Sequence, residues 1–166
     1  KEEVYIIPEG GYGEPGVKGA AGIVDYFSIK EFSHITCAVG TGTMIAGLAH
    51  ALPTNIDIVG ISALKNNVGI TKDIQQLLSN KNRAFTIIHD YHFGGYAKKS
   101  NSLIDFMNYF FNETGIPSDF VYTGKLFAGV FDLIQNNYFA PGSNILMVHS
   151  GGLQGNQSLE KGTLIF

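Results

Sequence analysis

VGTGTMIAGL (Val39–Leu48) follows the apolar run Ile35–Val39 and opens the apolar stretch Met44–Leu52. A β-branched run, a glycine/threonine turn and an apolar helix form the βα unit of a sheet whose strands are covered by helices. The backbone N–H groups of such a turn have no partner within the helix and carry partial positive charge, so they suit an anion. Glycines let the main chain approach the ligand, and the hydroxyls of Thr41 and Thr43 add donors. A plain turn capped by threonine would use the same residues. The turn is neither a dinucleotide fingerprint, whose third glycine falls here on a threonine, nor a P-loop, which needs Gly-Lys-Ser/Thr.

Outward from this unit the pattern repeats. Toward the N-terminus, Val4–Ile7 reads as a short buried strand ending in Pro8 and two glycines, and Val17–Phe32 as a helical stripe weakened by Gly19 and Gly22. Toward the C-terminus, Ile56–Ser62 reads as a strand and Thr71–Leu78 as a helix with Thr71 as N-cap. Phe85–Ile88 reads as a strand, Asp90–Lys98 as a glycine- and aromatic-rich loop, and Leu103–Phe111 as a helix. Pro117–Thr123 is irregular, Leu126–Ile134 helical, and Ile145–Val148 a last strand. The strands are apolar on both parities, as in strands buried on both faces. The expectation is an α/β fold of three layers, a mostly parallel sheet with helices on both faces. In such sheets ligands bind beyond the carboxyl ends of the strands.

Three further segments carry polar groups: PEGG (Pro8–Gly11), VYTGK (Val121–Lys125) and HSGG (His149–Gly152). Taken alone, the residues of VYTGK read first as a capped helix with a packed tyrosine; the chemical alternative is that Tyr122 presents a phenol for proton transfer or stacking beside the Thr123 hydroxyl. Lys125, on the first helical turn, is expected to face solvent or a carboxylate. His149 reads as a structural histidine with satisfied nitrogens. Ser150 lies outside any G-x-S-x-G elbow, which argues against a serine hydrolase. The five histidines lack metal-ligand spacing, so no metal site is expected. Cys37 sits in a buried-looking strand and is read as core.

Composition narrows the classes. The length of 166 residues is that of about one domain, and 45% apolar with 15% charged residues is a globular balance. A net charge of −3 without a basic run argues against nucleic acid and membrane surfaces. No stretch approaches the roughly 18 apolar residues of a membrane span. A single cysteine fits a reducing, cytoplasmic setting. No secretory leader is visible at the N-terminus, where the chain begins Lys-Glu-Glu.

In their order, PEGG, GTGTM followed by Ala-Gly, VYTGK and HSGG resemble the pyridoxal-phosphate enzymes of the aminocyclopropane-carboxylate deaminase and D-cysteine desulfhydrase family, of the tryptophan-synthase-β-like fold. The resemblance spans essentially the whole chain; the phosphate turn departs where many members carry a further glycine and then threonine. It implies pyridoxal 5′-phosphate as cofactor, clasped by the main-chain N–H groups of Thr41, Gly42, Thr43 and Met44. Tyr122 would stand beside cofactor ring and substrate, a small amino acid. The residue after that tyrosine is glutamate in deaminases and a hydroxyl residue in desulfhydrases; here it is Thr123. The residue before the final double glycine is leucine in deaminases and threonine in desulfhydrases; here it is Ser150, a hydroxyl for the pyridine nitrogen. A neutral hydroxyl there supports a weaker electron sink than a carboxylate, enough for α-proton removal and β-elimination of a good leaving group. Both positions lean toward D-cysteine-like elimination, with aminocyclopropane-carboxylate deamination the alternative within enzymes. A non-catalytic phosphate-ligand domain and a structural αβ domain are the alternatives from other classes.

The family's Schiff-base lysine precedes PEGG, and no lysine here stands in a comparable context. The resemblance therefore implies most of a large cofactor domain without its first segment and without the smaller domain, inactive by itself and a homodimer when intact.

Overall fold

The computed structural model describes residues 4–166. Four strands form one sheet in the order β3-β2-β1-β4, with β1 His34–Val39, β2 Asp57–Ser62, β3 Thr86–Ile88 and β4 Ile145–Met147. All three pairings are parallel; Ile35 lies opposite Ile58 on one side of β1 and Leu146 on the other. The connections carry α2 (Thr43–Ala51) after β1, α3 (Ile70–Leu77) after β2, and α4 (Asn101–Thr114) and α5 (Thr123–Gln135) between β3 and β4. Helix α1 (Glu14–Ala21) precedes the sheet.

Strand alternation sorts the core into two layers. Ile35, Cys37, Val39 and Ile58 face Ile45, Leu48, Ile70 and Ile74 of α2 and α3. Val59 and Ile61 face the opposite way, onto Phe110 of α4 and Leu126, Phe127 and Val130 of α5. The inner strands β1 and β2 bury both parities because helices lie on both faces, whereas β3 and β4 at the edges are only partly buried. Helices α1 and α2 pack closely at Gly47, where a Cβ would come within 2.5 Å of the Ala20 methyl and 2.8 Å of Ala21 N.

Several expectations are corrected. Val4–Ile7 is no strand: it joins no sheet, and its four side chains are 73–82% exposed. An apolar run becomes a strand only where an edge accepts its hydrogen bonds, and this one reaches neither β3 nor β4. The helix expected over Val17–Phe32 ends at Ala21, and the chain continues as 3-10 turns over Gly22–Tyr26 and Ile29–Glu31. Thr71 does not cap α3, which starts at Ile70 with Gly69 as N-cap. Helix α4 is longer than its apolar stripe because the Ser100 hydroxyl accepts the Leu103 N–H and starts it early. No described helix is long and apolar enough to cross a membrane.

Candidate functional site

At the carboxyl end of β1 the chain turns through Gly40–Gly42 into α2. Gly42 holds φ +87°, a left-handed conformation that glycine adopts without a Cβ penalty, and it is the N-cap of α2. The turn is braced from several sides. The Thr41 and Thr43 hydroxyls stand 3.1 Å apart, and Asn67 Nδ2 donates to the Gly40 carbonyl at 3.3 Å. Gly10 of the PEGG segment packs directly on the Thr41 side chain, where any Cβ would collide. Among the described residues, no protein acceptor meets the N–H groups of Thr41, Gly42, Thr43 or Met44. These four donors surround the positive end of α2, the arrangement that receives an anion.

The turn opens into a cavity of about 510 Å³ lined by Glu9, Gly10, Thr41–Met44, Tyr122 and Ser150, among others. Segments distant in sequence therefore share one rim. Tyr122 lies against Gly40, where a Cβ would come 3.2 Å from the ring and 3.3 Å from its hydroxyl. Burial pushes the Tyr122 phenol above its ordinary range, and Tyr96, Glu9 and Asp119 push it the same way. At neutral pH the group is a protonated donor. Its ring meets that of Tyr96 edge to face, centroids 6.1 Å apart.

Thr123 is placed differently from the expectation. It is fully buried and does not line the cavity. Its hydroxyl donates to Asp119 Oδ1 at 2.7 Å and accepts the Asp119 N–H at 2.8 Å, so both capacities are used inside the fold. Asp119, which the motif reading passed over, organises the start of α5. Its Oδ2 accepts the N–H groups of Val121 and Tyr122 at 2.8 Å, and its Oδ1 accepts that of Thr123 at 2.9 Å. The signal was a carboxylate shortly before a helix start, an Asx-type cap.

HSGG meets this centre from β4. His149 Nδ1 accepts the Gly151 N–H at 3.0 Å, and Nε2–H then donates to the Pro117 carbonyl at 2.7 Å. Both nitrogens are satisfied, which makes His149 a brace. Gly152 packs on Asp119, a Cβ there lying 3.0 Å from Oδ1. The exposed Ser150 reaches the cavity rim. Lys125 also departs from its expectation: it is fully buried, and its Nζ donates to the carbonyls of Ala63 (3.2 Å) and Gly95 (2.6 Å). Burial lowers its pKa to about 8, against the pull of Asp119. Cys37 is 1% exposed, and burial raises its thiol to about 12, so it is core. Among the described residues no group of acidic, histidine or cysteine side chains could hold a metal ion.

A parallel sheet covered on both faces, with a turn of N–H donors at the end of the inner strand β1 and a phenol beside it, is a construction suited to a phosphate-bearing ligand. Residues 1–151 match the family model described as "Pyridoxal-phosphate dependent enzyme", and the chain belongs to that family. It is 31% identical over 170 residues to a Thermotoga maritima protein named "Putative 1-aminocyclopropane-1-carboxylate deaminase", covering 93% of this chain and 53% of that one. Over 166 residues it is 30% identical to the D-cysteine desulfhydrase of Salmonella typhi, covering 89% and 50%. A crystal structure described as an ACC deaminase homologue superposes with a TM-score of 0.77 at 30% identity, covering 92% of this chain and 50% of that one. The chain thus spans about half the length of the curated relatives it matches.

Proposed function

We propose that this chain is the phosphate-holding part of a pyridoxal-phosphate enzyme that removes sulfide and ammonia from a small amino acid of the D-cysteine type. The observation that carries the reading is the meeting, in one cavity of about 510 Å³, of four turn N–H groups without an acceptor among the described residues, the Tyr122 phenol and Ser150. The donor set fits the cofactor: a phosphate takes the N–H groups of Thr41, Gly42, Thr43 and Met44, and the open space beyond them leaves room for a ring. When bound, pyridoxal phosphate supplies an electron sink for the bond-breaking at the amino-acid α-carbon.

The remaining roles belong to residues of this chain. Tyr122 Oη, kept protonated by its surroundings, holds a proton within the cavity for the departing sulfur. Ser150 offers a neutral hydroxyl at the rim. Thr123 acts through Asp119, fixing the backbone from which Tyr122 projects, and does not touch the substrate. The balance is D-cysteine plus water to pyruvate, ammonia and hydrogen sulfide. Covalent attachment of the cofactor falls, in this reading, to residues outside these 166, and the whole enzyme is a homodimer.

The second reading is deamination of aminocyclopropane carboxylate, favoured by the names of several relatives. The hydroxyl of Ser150 at the rim, at the position where deaminases carry leucine and desulfhydrases threonine, supports elimination over it. The test uses the protein at the length of its relatives, loaded with pyridoxal phosphate. Sulfide release from D-cysteine, at least about tenfold weaker in Tyr122→Phe, is the expected result. Ammonia from aminocyclopropane carboxylate without sulfide from D-cysteine would transfer the assignment to the deaminase. Tyr122→Phe with wild-type rates would remove that residue from the reaction.

A further inference from the structure

Lys125 is a fully buried charged group that neither the cavity nor the helix cap uses. A methionine would fill the same volume without the cost of burying an ammonium. What lysine adds is donors, and two of them are placed with good geometry on carbonyls from two different rim segments. Ala63 immediately follows β2, and Gly95 lies in the loop after β3; Lys125 itself stands on the first turn of α5. One side chain thus ties three segments at the carboxyl end of the sheet.

The Gly95 carbonyl is the more telling acceptor. Gly95 holds φ +116° in a tight turn, its N–H donating to the His92 carbonyl and its carbonyl accepting the Lys98 N–H. The next residue is Tyr96, which is 59% exposed and, among the described residues, has Tyr122 as its one aromatic neighbour. An exposed ring keeps a fixed place only if its backbone is held. The ammonium bond at 2.6 Å is a strong, charge-assisted tether on the residue before it.

We propose that Lys125 is a positioning residue: by holding the Ala63 and Gly95 carbonyls it fixes the Gly95 turn so that Tyr96 stands against Tyr122 at the mouth of the cavity. Asp119 makes no ion pair with the ammonium but favours its charge at longer range, and it holds the Tyr122 backbone. The two rings are therefore located from one centre, Tyr122 through Asp119 and Tyr96 through Lys125. The inference rests on the reading of Tyr122 as the phenol of the site, but its consequence is visible without cofactor.

The test is nuclear magnetic resonance of the cofactor-free chain at pH 7, comparing wild type with Lys125→Met and with Gly95→Ala. Gly95→Ala disturbs the same turn and leaves Lys125 in place, because a Cβ at that φ is strained and lies 3.2 Å from Lys65 Cβ. In Lys125→Met, loss of the tether is expected to speed exchange of the Lys98 amide about tenfold relative to the amides of β1 and β2. The ring–ring Overhauser effect between Tyr96 and Tyr122 should vanish in both variants. Retention of that effect in either folded variant would overturn the proposal. So would exchange in Lys125→Met that rises equally throughout the chain, which would make the lysine a support of the fold only. If Lys125→Met does not fold, Lys125→Gln is read in its place by the same two measurements. A failed cofactor assignment would leave these readouts unchanged, so the two claims separate.

Discussion

Asp119→Ala is expected to lower the melting temperature of the chain by roughly 10 °C, the largest effect of any single side-chain truncation at the site. The carboxylate is 1% exposed and accepts four hydrogen bonds, from the N–H groups of Val121, Tyr122 and Thr123 and from the Thr123 hydroxyl. Alanine leaves these donors buried without an acceptor. Each orphan costs about 1–3 kcal/mol, and because they share one acceptor the total falls short of the sum, at about 4 kcal/mol. Asp119→Asn keeps one oxygen and should fall between. The damage reaches the cavity, since the same carboxylate holds the Tyr122 backbone and packs on Gly152. Thermal unfolding followed by circular dichroism checks this; a loss below about 1 kcal/mol would show that water or rearrangement replaces the cap.

The second large effect is at Gly42. Alanine there meets two penalties. The left-handed φ of +87° costs a residue with a Cβ about 1–2 kcal/mol, and the new methyl points into the Ile74 side chain, with Ile70 Cδ1 at 3.3 Å. Relief requires turning the peptide planes of the turn or moving α3, and either tilts N–H groups away from a common point. Losing one charge-assisted bond weakens anion binding about tenfold or more. Gly42→Ala should therefore lose about 2–3 kcal/mol of stability and most of its phosphate affinity together. Phosphate titration beside a melting curve checks both. Lost stability with unaltered phosphate binding would place the anion elsewhere.

The parts of the molecule legible in its sequence were those written in local signals. The β-branched run at Ile58–Ile61 and the apolar run at Ile35–Val39 become strands because each is buried on both faces, and the glycine/threonine turn lies where a βα unit must reverse. Val4–Ile7 carries the same apolar signal without the same result, because strand formation depends on a neighbour that sequence does not reveal. Lys125 departs from its sequence expectation for a related reason. A lysine on a first helical turn is ordinarily exposed, and only the meeting of the Ala63 and Gly95 segments supplies the carbonyls that let it be buried. The helix that places Thr123 beside Tyr122 in sequence turns its hydroxyl inward to Asp119, so adjacency along the chain did not give adjacency in the site. Tyr96 carries no local signal of its place beside Tyr122, because the 26 positions separating the two are closed only by tertiary structure.

The most direct test of the central claim is to titrate isotope-labelled chain with pyridoxal phosphate, and separately with inorganic phosphate, while following backbone amide shifts. Saturable shifts at Thr41, Gly42, Thr43 and Met44 with both ligands, joined by Tyr122 and Ser150 with pyridoxal phosphate alone, are the predicted result. Shifts centred away from the turn, or none at it with either ligand, would contradict the assignment of this cavity to the cofactor.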